Sequence, residues 1–149
     1  MATRSAIGLL EDGKVKGIYC HWDGYPEYNG NILLKHYDKE KTLDLLSLGN
    51  LSSLNEEIGL KHEFDTLQLS RREREELRAK KWCTFYGRDR EESDQECVVF
   101  NTVQEFVNYF AKSGAEYFYL LDNKWLVNDG DKWTDLSLYL ENIKEEESV

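Results

Sequence analysis

The stretch His21-Trp22-Asp23-Gly24-Tyr25-Pro26-Glu27-Tyr28 gathers an imidazole, two carboxylates and three large aromatics around one tight turn. In an extended chain His21 and Asp23 project to the same side. A carboxylate beside a histidine orients the ring and raises its pKa, the support used by a general base or a metal ligand. The competing reading is structural: Asp-Gly-x-Pro makes a turn, the aromatics fill core space and His21 bonds to backbone. Tyr86-Gly87-Arg88-Asp89-Arg90 is the second distinctive segment. Two arginines spaced by one residue after a strand suit bidentate bonds to a phosphate or carboxylate. Against that stands a solvated turn in which Asp89 partly neutralises its neighbours. His21, Trp22, Asp23, Tyr25, Tyr86, Arg88 and Arg90 are therefore the candidate ligand- or partner-binding residues.

Other apparent motifs fail on geometry. Cys20 and His21 are adjacent, so in a strand they face opposite ways and form no nucleophile–base dyad. No HxxxH, HExxH or paired-cysteine spacing is present, and His36 and His62 reach His21 only through the fold. Setting Gly130 of Asp129-Gly130-Asp131 at the glycine of a calcium loop puts Trp125 at the first ligand position, which rules that loop out. P-loop, GxGxxG and GxSxG patterns are absent too. The sequence thus assigns no catalytic residue, no metal and no cofactor, and favours a non-enzymatic protein.

The elements that must position these segments follow from the hydrophobic pattern. Asp12-Gly13 between two alternating runs predicts a type I′ hairpin. It sets Glu11 opposite Lys14, Leu10 opposite Val15, Ile7 opposite Ile18 and Arg4 facing His21. Ile7, Leu9, Ile18, Cys20 and Trp22 share the face expected in the core, with Leu10, Val15, Tyr19 and His21 on the other. Gly8 faces Gly17, which predicts close approach of another element. A helix over 28–37 and a second one, capped by Asp38 and stopped at Gly49, come next. Ser53 and Glu56 fit a capping box for a further turn.

Residues 61–81 read as a charged surface excursion, with a capping box at Ser70 and Glu73 and, in 71–81, Leu77 and Ala79 as the sole aliphatic residues. Strands are predicted at 82–86 and 97–100. The clearest helix has Thr102 and Glu105 as a capping box, an apolar stripe from Val103 to Ala111 and Gly114 at its end. A second hairpin over 116–127 and a helix from Asp135 follow, and 145–149 read as a frayed acidic tail. Together these give one α+β domain over 1–149: an antiparallel sheet of two hairpins plus central strands, with helices packed on it.

The chain has 149 residues and a formal net charge of −10, and that charge is unevenly placed. Residues 1–90 hold 15 acidic and 15 basic side chains, whereas 91–149 hold 14 acidic and 4 basic. The second part should repel nucleic acid and attract a basic protein surface, so direct nucleic-acid binding is disfavoured. No run approaches the roughly 18 apolar residues that span a bilayer, and Met1–Ser5 has no apolar signal region. With three unpaired-looking cysteines as well, the chain is expected in the cytoplasm, thiols reduced and away from membranes.

The blocks Ser5–Gly8, Gly17-Ile18-Tyr19-Cys20-His21-Trp22-Asp23-Gly24-Tyr25-Pro26, Leu48–Leu54, Tyr86–Arg90 and Glu116–Asp122 resemble a family of small, poorly characterised phage and prophage accessory proteins. The resemblance covers most of the chain and is weakest over 66–81. It implies a protein made in the bacterial cytoplasm during infection, but carries over no catalytic residue. Such accessory proteins often act on host machinery. The expected partner is therefore a host protein with a basic surface, such as a CRISPR effector or another defence nuclease, inhibited by protein–protein contact. The alternative is a protein that sequesters or hydrolyses a small nucleotide signal in a pocket of His21, Asp23, Arg88 and Arg90.

Overall fold

Asp12 and Gly13 both take positive φ, 52° and 76°, which closes a tight hairpin between β1 (Ser5–Glu11) and β2 (Lys14–Cys20). Its register is the predicted one, with Gly8 opposite Gly17 and Ser5 opposite Cys20. In this computed structural model residues 2–60, 70–72, 75 and 81–147 are described. Most of the 61–81 excursion, Glu73 of the Ser70–Glu73 capping box and residues 148–149 lie outside them.

Among the described residues the hairpin sits at the centre of an eight-stranded sheet ordered β4-β3-β2-β1-β6-β7-β8, with β5 also paired to β2. The strands are β3 (Leu51–Ser53), β4 (Thr84–Phe85), β5 (Val98–Phe100), β6 (Tyr117–Asp122), β7 (Lys124–Asn128) and β8 (Trp133–Asp135). Most pairings are antiparallel, as expected, but β1 runs parallel to β6 and β2 parallel to β3. Both parallel contacts join segments distant in the chain, so no turn signal announces them. β1 and β6 are buried on both faces, which is why SAIGLLE and YFYLLD read as nearly continuous apolar runs.

Helices cover both faces. On one, α4 (Val103–Lys112) lays Phe106 and Phe110 over Ala6, Val15, Phe118 and Leu120. Thr102 caps it by accepting from the Glu105 N–H at 3.1 Å, and the Glu105 carboxylate accepts from the Asn101 N–H. Gly8 and Gly17 are small because Phe106 lies over them: a Cβ at Gly17 would sit 2.7 Å from its ring. On the other face Ile7, Leu9, Ile18 and Cys20 pack with Leu33, Leu45, Tyr119, Trp125 and Leu136. These come partly from α1 (Asn31–His36), α2 (Lys39–Ser47) and α5 (Leu136–Glu147). Asp38 caps α2 through the Lys41 N–H at 2.8 Å, and Gly49 ends it at φ 87°.

Several local expectations change. A π-helical turn at Pro26–Gly30 precedes α1, where one continuous helix was expected. Leu51–Ser53 is a strand, since His21 and Trp22 donate to the Leu51 and Ser52 carbonyls and hold it against β2, and no helix starts at Ser53. The expected turn at 87–90 is a short helix, α3 (Tyr86–Arg90), stopped by Glu91 at φ 55°. α5 runs through Glu147, so the helix takes in most of the segment read as a tail.

Candidate functional site

The β2 strand ends at Cys20, and the chain turns sharply at Asp23, whose φ is 56°. The turn is tied down from three sides. Gly24 donates to the Thr3 carbonyl at 2.8 Å, Tyr119 donates to the Gly24 carbonyl at 2.6 Å, and Asn29 Nδ2 donates to the Trp22 carbonyl at 3.3 Å. A Cβ at Gly24 would lie 2.7 Å from the Thr3 oxygen, which explains why a glycine stands there. This left-handed kink overturns the expected His21–Asp23 pair. The Asp23 charge acts on the Tyr28 phenol, and it is not among the charges that shift His21.

His21 bonds instead to its strand neighbour two residues back, with Tyr19 Oη 2.7 Å from its Nδ1. The expected rise in its pKa is reversed: burial lowers it, and the positive charges of Arg4 and Arg90 add to the effect. Trp22 packs edge-on against the imidazole, ring centres 4.8 Å apart. It stays 45% exposed, so it is not the core residue that alternation from Cys20 suggested. Tyr25 is half-buried and leans on Tyr28, 6.3 Å between ring centres.

The two arginines of α3 part company. The Arg88 side chain is 13% exposed, and its five N–H groups meet five acceptors at 3.0–3.1 Å: both Asp89 carboxylate oxygens and the carbonyls of Ile58, Gly59 and Cys83. Asp89, with a fully buried side chain, also accepts from the Phe85 N–H at 2.7 Å. This pair locks α3 to β4 and to the 58–59 segment, so Arg88 is not an anion contact. The expected solvated turn, with Asp89 neutralising a neighbour at the surface, is equally displaced by a buried clamp. Arg90 is exposed and stacks over the Tyr86 ring at 5.3 Å. The four residues of the expected nucleotide pocket therefore do not converge: His21 and Arg90 share a region, while Asp23 and Arg88 are turned elsewhere.

What gathers beside His21 is a different set. Arg4 lies one residue beyond the Ser5–Cys20 pair that ends the hairpin register, and its charge acts on His21. Its guanidinium donates to the Ser113 carbonyl at the end of α4, 3.2 Å away. Asn50 ties Tyr19 to α3: its side chain accepts from the Tyr19 N–H at 2.9 Å and its carbonyl from the Tyr86 N–H at 3.2 Å. Arg4 and Tyr19 were absent from the sequence-derived site, although the hairpin register already placed Arg4 across from His21 and Tyr19 on its face. Among the described residues, cavities form on other linings, with Arg88 bordering the second. One of about 420 Å³ lies over Leu9, Leu34, Leu121 and Trp125, and one of about 320 Å³ lies beside Gly87 and Gln95.

Cys20 and Cys83 are buried, Cys97 is half-buried, and none of the three is in a disulfide. Burial pushes the Cys20 thiol up to about 12 and raises Cys83 and Cys97 as well, so at neutral pH all three are thiols. Among the described residues no group of three or more His, Cys, Asp or Glu is placed to hold a metal ion, and no helix is long and apolar enough to cross a membrane. The chain matches no family model, no curated protein and no solved structure.

Proposed function

We propose that this is a phage-type accessory protein that binds and inhibits a host protein through contact with its acidic C-terminal part. The target class is a defence nuclease, such as a CRISPR effector, whose nucleic-acid channel is basic. The observation that carries this reading is where the negative charge lies. Glu91, Glu92, Asp94 and Glu96 are all exposed on the segment joining α3 to β5, and Glu116, Asp122, Asp129, Asp131 and Glu141 are exposed beyond it. A surface of that sign competes with phosphate for a lysine- and arginine-lined channel and speeds encounter with it. Exposed Trp22 and Tyr28 supply aromatic anchors of the type that dominate protein interfaces. The resemblance of the Tyr-Cys-His-Trp-Asp-Gly-Tyr-Pro block to phage proteins supplies the setting. A pocket enzyme is supported less, because the Arg88 guanidinium is committed to the fold.

The test is affinity capture from bacterial lysate at low salt, with the wild type beside a variant carrying Glu91→Gln, Glu92→Gln, Asp94→Asn and Glu96→Gln. The expected result is a nuclease retained by the wild type, released as salt rises and not retained by the variant. Recovery of no partner at low salt, or equal retention by both proteins, would overturn the reading.

A further inference from the structure

The hairpin register shows which backbone groups of β5 are taken. In a two-residue hairpin the pair flanking the turn exchanges both its hydrogen bonds, and bonded pairs alternate from there. Glu11–Lys14, Leu9–Lys16 and Ile7–Ile18 are therefore bonded pairs, and Val15 and Gly17 turn their N–H and C=O groups away from β1. Tyr19 has the same parity, and its N–H leaves the hairpin to reach the Asn50 side chain at 2.9 Å. Val15 stands opposite Phe100 and Gly17 opposite Val98, so those two residues of β5 bond to β2. Val99, between them, directs its N–H and C=O to the other side. β2 is the one strand paired with β5 among the described residues, and Val99 is 56% exposed.

The two ends of this open edge differ. At one, the Asn101 N–H is taken by the Glu105 carboxylate at 3.1 Å, which closes the edge there. At the other, the chain leads back to Glu96, Asp94 and Glu92, all exposed. That acidic segment is held in place beside the edge. The Glu92 N–H donates to the Tyr86 carbonyl at 3.1 Å, and the Gln95 carbonyl accepts from the Asn50 N–H at 2.8 Å. The two faces of the edge are apolar. Exposed Tyr109 packs against Phe100 on one, ring centres 5.3 Å apart, and Val99 projects on the other.

An open strand edge accepts a further strand, and charge decides whose. A second copy carries the same carboxylates and the same net charge of −10, which opposes self-pairing. We infer that the β5 edge takes an extended segment of a partner protein as an added strand. That segment is apolar where it lies along Val99 and Tyr109, and bears lysine or arginine where it reaches Glu92, Asp94 and Glu96. Main-chain bonds to Val99 hold it, side chains on alternate faces select it, and the carboxylates favour a basic sequence. The inference rests on the reading of the acidic part as the contact surface, and names the backbone contact beside it.

The probe is a blocked seven-residue peptide, a valine-threonine-valine core between lysine pairs, titrated into the isotope-labelled protein and followed by NMR. Without peptide the Val99 amide should exchange freely with solvent. With peptide it should shift saturably and exchange at least about tenfold more slowly, as a newly formed hydrogen bond implies. Binding should weaken as salt rises, and a peptide with glutamate for lysine should not bind. Val99→Pro removes the outward N–H and leaves the β2 ladder intact, since proline is tolerated on an edge with its nitrogen facing solvent. It should weaken binding by about tenfold, with the Val15 and Gly17 amides reporting that β5 stays in place. Should it displace β5, the exchange measurement on the wild type decides alone. A Val99 amide already protected in the free protein, or shifting with protein concentration, would show the edge covered by the chain itself or by a second copy and overturn the inference. So would the absence of a saturable shift at about 1 mM lysine peptide, or equal binding of the glutamate peptide. Binding that survives Val99→Pro but falls in the Glu91→Gln, Glu92→Gln, Asp94→Asn, Glu96→Gln variant would overturn strand addition and leave the acidic contact surface standing. Peptide addition at Val99 with no nuclease retained from lysate would retain this inference and overturn the target class.

Discussion

Replacing Arg88 by alanine should be among the most damaging single changes in this protein, and its size follows from the clamp. The Arg88 side chain is 13% exposed and that of Asp89 is 0% exposed. Removing the guanidinium takes the paired positive charge from a buried carboxylate and strips donors from the Ile58, Gly59 and Cys83 carbonyls. Breaking a buried pair from one side costs about 3–5 kcal/mol. Domains of this size have about 5–15 kcal/mol in total, so the variant should lose between about a fifth and all of its stability. Urea unfolding followed by tryptophan fluorescence measures the loss, with an unchanged m-value confirming that stability alone has moved. Asp89→Asn in the Arg88→Ala background removes the stranded charge and should recover part of the loss, giving a coupling of about 0.5–3 kcal/mol. A cost below about 1 kcal/mol for Arg88→Ala, within the range of exposed pairs, would refute the clamp and return Arg88 to the list of anion contacts.

Three further outcomes can be checked with ordinary variants. Gly17→Ala puts a methyl 2.7 Å from the Phe106 ring and should cost about 1–3 kcal/mol by overpacking, read as a lower urea midpoint. Thr102→Ala removes the N-cap of α4 and should cost about 1 kcal/mol in the same assay. Alkylation with iodoacetamide at pH 8 should modify half-buried Cys97 first. Buried Cys20, held up near 12, and buried Cys83 should react only after unfolding, as mass spectrometry of the labelled peptides will show.

The parts of the fold legible in the sequence were those set by local chemistry. Asp12-Gly13 gave the hairpin and its register, and with it the paired glycines that accommodate Phe106. Asp38, Thr102 and Gly49 marked helix ends because caps act within a few residues. The parallel contacts of β1 with β6 and β2 with β3 were hidden, since pairing partners far apart leave no short-range pattern. Ser53 misled because a capping box competes with strand pairing, and the open edge of β2 won.

The candidate site failed for a related reason. Same-side projection of His21 and Asp23 assumes that the strand continues, whereas Asp23 adopts a left-handed conformation one residue after Trp22. Arg88 and Arg90 looked equivalent in sequence, and a single helical turn separated them, directing one to five protein acceptors and the other to solvent. Arg4, expected to face His21 from strand register, was left out of the site because it belongs to no motif.

The central claim is that the exposed negative charge after residue 90 engages a basic nuclease. Its most direct test is the cleavage rate of a purified RNA-guided nuclease from a bacterial host, measured against increasing amounts of this protein and of the Glu91→Gln, Glu92→Gln, Asp94→Asn, Glu96→Gln variant. The account predicts that the wild type suppresses cleavage and that the variant needs at least about tenfold more protein for the same effect, as expected when steering charges are lost. Cleavage unaffected by the wild type, or suppressed equally by both proteins, would contradict it.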